Sequence, residues 1–194
     1  MKTVYIALLR GINVGGKNMI KMVDLKRTFE ALGLSRVQTY IQSGNVLFDS
    51  DEPEKTLRNR IEREIESVFG FSVTVVLRTA AELKQIIGNC PFPEEAISEA
   101  EALSEAESFY VSLLTEEPLQ EGIERLNDYR SENDEYRVIG REVYLLFRNS
   151  IRNSKLANNL GKLNVPATVR NWKMINKLVV LAEAMEATPS THSN

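Results

Sequence analysis

The stretch Thr3-Val4-Tyr5-Ile6-Ala7-Leu8-Leu9 decides the fold. Apolar and partly β-branched, it reads as a strand, and because Tyr5, Ala7 and Leu9 alternate with Val4, Ile6 and Leu8, both of its faces are apolar. Outward from it, Met22, Leu25, Phe29 and Leu32 follow helical spacing, with Gly33 as a C-cap. Val37–Ile41 and Val46–Asp49 read as two short strands around the turn Gln42-Ser43-Gly44-Asn45. Leu57, Ile61, Ile65 and Val68 mark a second helix, entered near Pro53 and closed by Gly70, and Phe71–Leu77 is a fourth strand. The order is β-α-β-β-α-β, the ferredoxin-like or split β-α-β pattern.

The second half repeats much of it. Phe109–Leu114 is a strand, Leu119, Ile123 and Leu126 define a helix, and Tyr136–Ile139 and Val143–Phe147 form a hairpin around Gly140-Arg141. Leu156, Leu160 and Leu163 mark another helix, Pro166–Val169 a last extended piece, and Trp172, Ile175, Val179 and Ala182 a final helix. Between the halves, Thr79-Ala80-Ala81-Glu82 is a capping box opening a short helix that stops at Gly88, before the break Cys90-Pro91-Phe92-Pro93. The expected class is α+β, with two tandem ferredoxin-like modules, 1–98 and 99–194. The second carries the extra C-terminal helix and a disordered tail. A first strand apolar on both faces makes a lone sheet with one wet face a poor fit, so the halves are expected to bury their open faces on each other.

Composition narrows the function classes. At 43% apolar and 26% charged residues the chain is ordinary globular protein, and no apolar run reaches the roughly 18 residues of a membrane span. The N-terminal MKTVYIALLRG is too short and strand-like for a signal peptide, so the expected location is the cytoplasm, with no membrane partner. Cys90 is the single cysteine and makes no internal disulfide. His192 is the single histidine, close to the end of a Thr-Pro-Ser-Thr-His-Ser-Asn tail, which argues against a Ser-His-Asp triad, a Cys-His pair or a histidine-based metal site. The net charge of −3 disfavours non-specific nucleic-acid binding, but the charges are segregated. Residues 1–36 carry seven Lys/Arg against Asp24 and Glu30, residues 94–135 fourteen Asp/Glu against Arg125 and Arg130, and residues 141–177 eight Lys/Arg against Glu142. Two basic stretches thus flank an acidic one, as in a basic face assembled from both ends or in solvated helix faces.

The two halves control for each other. In the second, Thr115-Glu116-Glu117-Pro118 joins first strand to first helix; in the first, the same task takes Arg10-Gly11-Ile12-Asn13-Val14-Gly15-Gly16-Lys17-Asn18. Glycines let backbone N–H groups approach an oxyanion, the following helix adds its positive dipole end, and Arg10 and Lys17 supply counter-charge. A phosphate, a carboxylate or a nucleic-acid backbone suits such a loop. Equally, Gly15-Gly16 serves a tight turn. The motif is neither G-x-x-x-x-G-K-[ST] nor G-x-G-x-x-G, so no nucleotide type or cofactor follows. In a β-α-β-β-α-β unit the turn of strands two and three lies at the same sheet edge, which brings Gln42, Ser43 and Asn45 alongside, as ligand-orienting groups or as ordinary turn residues. Arg152-Asn153-Ser154-Lys155 opens a helix with an N-cap serine among cations. Thr168, Arg170, Asn171 and Trp172 start the next, with Trp172 read as core, while Cys90 reads as an inert loop residue.

Leu9-Arg10-Gly11-Ile12-Asn13-Val14-Gly15-Gly16, Tyr40-Ile41-Gln42-Ser43-Gly44-Asn45-Val46, Ser154-Lys155-Leu156, and Thr168 with Arg170-Asn171-Trp172 together resemble the signatures of the bacterial domain-of-unknown-function family 1697, the LRGINVGG proteins. The resemblance spans nearly the whole chain. It implies a pair of ferredoxin-like modules and one functional surface made of those four segments, and brings no activity, substrate or cofactor. Cys90-Pro91-Phe92 departs from the Asn-Pro-Phe usual there, and Lys173-Met174 stands where a threonine is more frequent.

The leading expectation is a binding module for a small anionic or phosphorylated ligand, lined by Arg10, Gly11, Asn13, Gly15, Gly16, Lys17, Gln42, Ser43 and Asn45, with Arg170 and Asn171. An RNA-binding protein is the second reading, although Gly44-Asn45-Val46-Leu47-Phe48 lacks the aromatic spacing of an RNP motif. A histidine-independent enzyme using Tyr40, Ser43, Asp24 or Lys17 is the third, and an adaptor whose acidic 94–135 stretch meets a basic partner the fourth. Catalytic residues, cofactor and oligomeric state are unknown from sequence.

Overall fold

The doubly apolar strand at the N-terminus takes the central position that its composition calls for. The computed structural model describes residues 1–104 and 106–188; the tail with His192 lies outside the described residues. β1 (Thr3–Leu9) pairs antiparallel with β3 (Asn45–Ser50) on one side and β4 (Val75–Thr79) on the other, and β2 (Ser35–Tyr40) extends the sheet beyond β3. The order is β2-β3-β1-β4. α1 (Met22–Ala31) and α2 (Glu54–Phe69) supply the core opposite Tyr5, Ala7 and Leu9 with Leu25, Phe29, Leu57, Ile61 and Ile65. Phe29 meets Phe48 edge-on at 5.6 Å. Val4, Ile6 and Leu8, on the other face of β1, are buried as well.

Local signals set most boundaries. α2 starts after Pro53 and ends at Gly70, left-handed at φ 80°, whose amide returns to the Glu66 carbonyl at 2.9 Å. Thr79 and Glu82 form the capping box of α3 (Ala80–Gly88): the Thr79 amide donates to Glu82 at 2.7 Å and the Glu82 amide to the Thr79 hydroxyl at 3.2 Å. Two expectations fail here. The fourth strand begins at Val75 rather than Phe71, because the Val75 amide donates to the Glu62 carboxylate of α2 at 3.0 Å while Ser72 is held by Glu66. Val68 is exposed, its place against the core taken by Phe69 packed with Phe71.

A second four-stranded antiparallel sheet follows α4 (Glu94–Leu103). β5 (Phe109–Leu114) lies between β7 (Glu142–Phe147) and β8 (Ala167–Asn171), and β6 (Asp134–Ile139) pairs with β7, giving the order β6-β7-β5-β8. α5 (Gln120–Asn127) packs on this sheet; Leu119 stays outside it, largely exposed at its N-cap. The continuous helix expected over Leu156–Leu163 is broken instead. α6 (Lys155–Asn158) lasts one turn, Asn159 leaves helical geometry at φ −115°, and a 3-10 turn spans Leu160–Leu163 up to Asn164 at φ 55°. Asn158-Asn159 and Gly161 are weak helix formers, and contact with α5 overrides what remains. A Cβ on Gly122 of α5 would lie 3.1 Å from the Leu163 carbonyl oxygen.

α7 (Trp172–Ala187) runs from one compact unit into the other: residues 86–175 form one, and residues 1–85 with α7 from Asn176 onward form the other. Trp172 is core, its ring 4.7 Å from Phe109. The far end of α7 is held by Arg36, which pairs with the buried Asp49 carboxylate at 2.5 Å and donates to the carbonyls of Met185 and Thr188. No helix among the described residues is long and apolar enough to cross a membrane.

Candidate functional site

The loop after β1 is anchored at its root by two backbone bonds. The Leu9 amide donates to the Gly44 carbonyl and the Arg10 amide to the Thr74 carbonyl, each at 2.9 Å. Ile12 then dips into the core, 1% exposed. Gly44, at φ 84°, passes so close that a Cβ there would stand 2.7 Å from Ile12 Cδ1.

Asn13 closes the loop. Its backbone is left-handed at φ 54°, a conformation asparagine tolerates, and its amide donates to the Asn18 carbonyl at 3.1 Å. Its side-chain oxygen accepts from the Ile20 amide at 2.7 Å, while Nδ2 donates to the carbonyls of Ile20 and Gln42 at 3.0 and 2.9 Å. One side chain thus ties both arms of the loop to each other and to the β2–β3 turn. Asn18 adds a bond from Nδ2 to the Gly11 carbonyl at 3.2 Å.

The tip is a two-residue turn. The Lys17 amide donates to the Val14 carbonyl at 3.0 Å across Gly15 and Gly16, whose φ values of 58° and 73° give the type I′ pattern that requires left-handed backbone at both positions. Turn chemistry therefore accounts for both glycines. It also leaves their N–H groups outside: among the described residues neither amide donates to a protein acceptor. Arg10 and Lys17 are exposed, and among the described residues neither has a carboxylate partner. Exposed Val14, Met19 and Ile41 lie in the same loop and the adjoining turn.

The remaining candidates divide. Gln42 is exposed beside the loop, whereas Asn45 is fully buried, its Nδ2 donating to the Tyr40 carbonyl and the Ser43 hydroxyl. Gly11 contributes a left-handed bend at φ 68°. Arg170 and Asn171 belong to the other unit and serve its packing. Arg170 is 8% exposed and donates to Thr168 Oγ1 at 2.8 Å, and burial pushes its guanidinium down to about 10. Asn171 caps α7, accepting the Met174 amide at 2.7 Å. Asp24 stands in the first turn of α1 with Arg27 at 3.9 Å, and the Tyr40 ring lies 5.9 Å from the Lys177 ammonium. Burial raises the Cys90 thiol above its ordinary value, which disfavours the reactive thiolate. Among the described residues no three His, Cys, Asp or Glu side chains gather to hold a metal ion.

Ser154 caps α6 as its sequence context implies, accepting from the Ala157 amide at 3.0 Å, but it also donates to Asp134 at 2.7 Å. Asp134 gave no sequence signal of its own, submerged in the acidic stretch twenty positions away.

An α+β protein with a stapled, cation-bearing hairpin after its first strand is what the fold and this site define. The sequence model of the family described as "Protein of unknown function (DUF1697)" matches residues 1–144, and the chain belongs to that family. Among solved structures it is similar to the conserved bacterial protein SP0830 from Streptococcus pneumoniae, with 25% identity over 94% of this chain and 99% of that one and a TM-score of 0.71. No curated protein matches it.

Proposed function

We propose that the chain is a binding module for a phosphorylated or otherwise anionic ligand, engaged by the hairpin Arg10–Asn18 with Gln42 beside it. The observation that carries this is the pairing of two free glycine amides with two cations, Arg10 and Lys17, that have no carboxylate partner among the described residues. Donors held in place by a rigid turn do not have to be ordered when an anion arrives, so their hydrogen bonds add to affinity rather than offset entropy. Asn13 provides that rigidity without touching the ligand. The strand orders β2-β3-β1-β4 and β6-β7-β5-β8 support reading the two sheets as ferredoxin-like modules in tandem. A lone cysteine and the lack of any membrane-crossing helix among the described residues fit the cytoplasm.

Titration of 15N-labelled protein with inorganic phosphate, nucleoside phosphates and dicarboxylates tests the reading. Amides of residues 11–18 are expected to shift saturably, and Lys17→Glu to abolish the response. Silence of those residues toward every compound would refute it.

One observation favours RNA as the anion's source: residues 14–19 are all exposed, whereas small-ligand sites enclose most of their ligand. An oligonucleotide gel shift whose salt slope falls by about one in Lys17→Ala separates the two readings.

A further inference from the structure

In the second unit, the broken segment after β7 leaves an open cleft of about 380 Å³ between the residues preceding β6 and the start of α6, bordered by several polar side chains. Asp134 lines it, although only 8% exposed. One of its carboxylate oxygens accepts from Ser154. Among the described residues the other accepts from no protein donor and no cation lies within ion-pair distance, and it is not sealed from solvent, so it opens to the cleft. A carboxylate offers about four acceptor positions, and with a single protein donor most of those on Asp134 remain open to hydroxyls entering the cleft.

The other lining groups define what would fill those positions. Asn133, Asn149 and Asn153, all exposed, line the cleft, and their side-chain amides, each able to donate and accept, have no protein partner among the described residues. Lys155 and Arg130 line it too, exposed and without a carboxylate partner among the described residues, Arg130 seated 5.1 Å from the Tyr136 ring centroid. A bare anion would meet two carboxylates, Asp134 and Asp128 at the rim, and leave the amides idle. A metal ion would meet two cations at the rim and too few carboxylates. An uncharged sugar would leave both cations unused.

We propose that this cleft binds a sugar phosphate. Hydroxyls donate to Asp134 and exchange hydrogen bonds with the three asparagine amides, and the phosphate is taken by Lys155 and Arg130. The residues of this cleft all belong to the second unit, and the proposal does not rest on the hairpin of the first. Ser154 is a positioning residue: its hydroxyl orients the Asp134 carboxylate while its oxygen caps α6.

The full chain, 15N-labelled, is titrated with ribose 5-phosphate and glucose 6-phosphate, and with ribose, glucose and inorganic phosphate in separate arms. At least one sugar phosphate is expected to shift amides of residues 128–134 and 149–155 saturably, and to bind about tenfold or more tighter than its sugar or phosphate alone. Lys155→Ala, at an exposed position, is expected to weaken it about tenfold with an unchanged melting temperature. Asp134→Asn is expected to remove the preference for the sugar while weak phosphate binding remains; where that variant does not fold, Lys155→Ala decides. The proposal is overturned by shifts confined to residues 10–18, by phosphate alone binding as tightly as either sugar phosphate, by no response at millimolar concentration, or by affinity indifferent to Lys155→Ala.

Discussion

The two strand-to-helix connections begin alike and then part. In the first unit the Leu9 amide reaches the β2–β3 turn at Gly44 and the Arg10 amide reaches Thr74; in the second the Leu114 amide reaches the β6–β7 turn at Arg141 and the Thr115 amide reaches Pro166. The same two bonds therefore root both connections. After them the second unit enters its helix within Glu116-Glu117-Pro118-Leu119, whereas the first builds a stapled hairpin through Lys21 before α1 begins. Downstream the elaboration is reversed: α2 is one continuous helix, while the matching stretch after β7 is broken into a 3-10 turn at Ile151–Asn153, α6 and the 3-10 turn at Leu160–Leu163, the cleft lying at the start of this stretch. The first unit thus departs from the minimal path at the loop that carries the Gly15 and Gly16 amides, and the second at the segment that borders Asp134.

Three sets of substitutions probe how far the two units differ. The largest effect is expected from paired alanine substitutions at the two hairpin glycines. Gly44→Ala drives a Cβ to 2.7 Å from Ile12 and 2.9 Å from Leu9, whereas at Gly140 the nearest atoms stand at 3.8 Å. Gly44→Ala should cost about 3 kcal/mol or more and Gly140→Ala only the ~1–2 kcal/mol of left-handed backbone. Equal urea midpoints for the two variants would show that the first hairpin does not depend on its loop. Next, Asn13→Ala removes three hydrogen bonds, for a loss of about 2 kcal/mol. Hydrogen exchange should accelerate in residues 11–20 and 42–45 and nowhere in the second unit; unchanged protection would deny Asn13 its stapling role. Smallest is Gly16→Ala, whose Cβ meets nothing within 4 Å and whose penalty is the φ of 73° alone, roughly 1 kcal/mol by thermal melting. A loss well above that would mean the tip is packed rather than free.

Much of the fold was legible because its signals are local. The spacing of Leu57, Ile61 and Ile65, the Thr79–Glu82 capping box, and the apolar runs Thr3–Leu9 and Phe109–Leu114 each act within a turn of helix or along one strand, and each stands where its residues imply. The failures mark contacts made at a distance: Glu62 taking the amide of Val75, Phe69 displacing Val68, and α5 pressing on Leu163 through Gly122. The candidate site follows the same division. Its position after β1 and the turn at Gly15-Gly16 were readable, but that Asn13 and Asn45 are consumed inside the loop and turn was not.

The chain's own letters determined the periodicities, caps and turn glycines, since these depend on neighbours a few residues apart. Only the tertiary structure decided which polar groups remain available. A side chain's partner is chosen when distant segments close on each other, and nothing near Asp134 in the sequence announces Ser154, nor anything near Asn13 the carbonyl of Gln42.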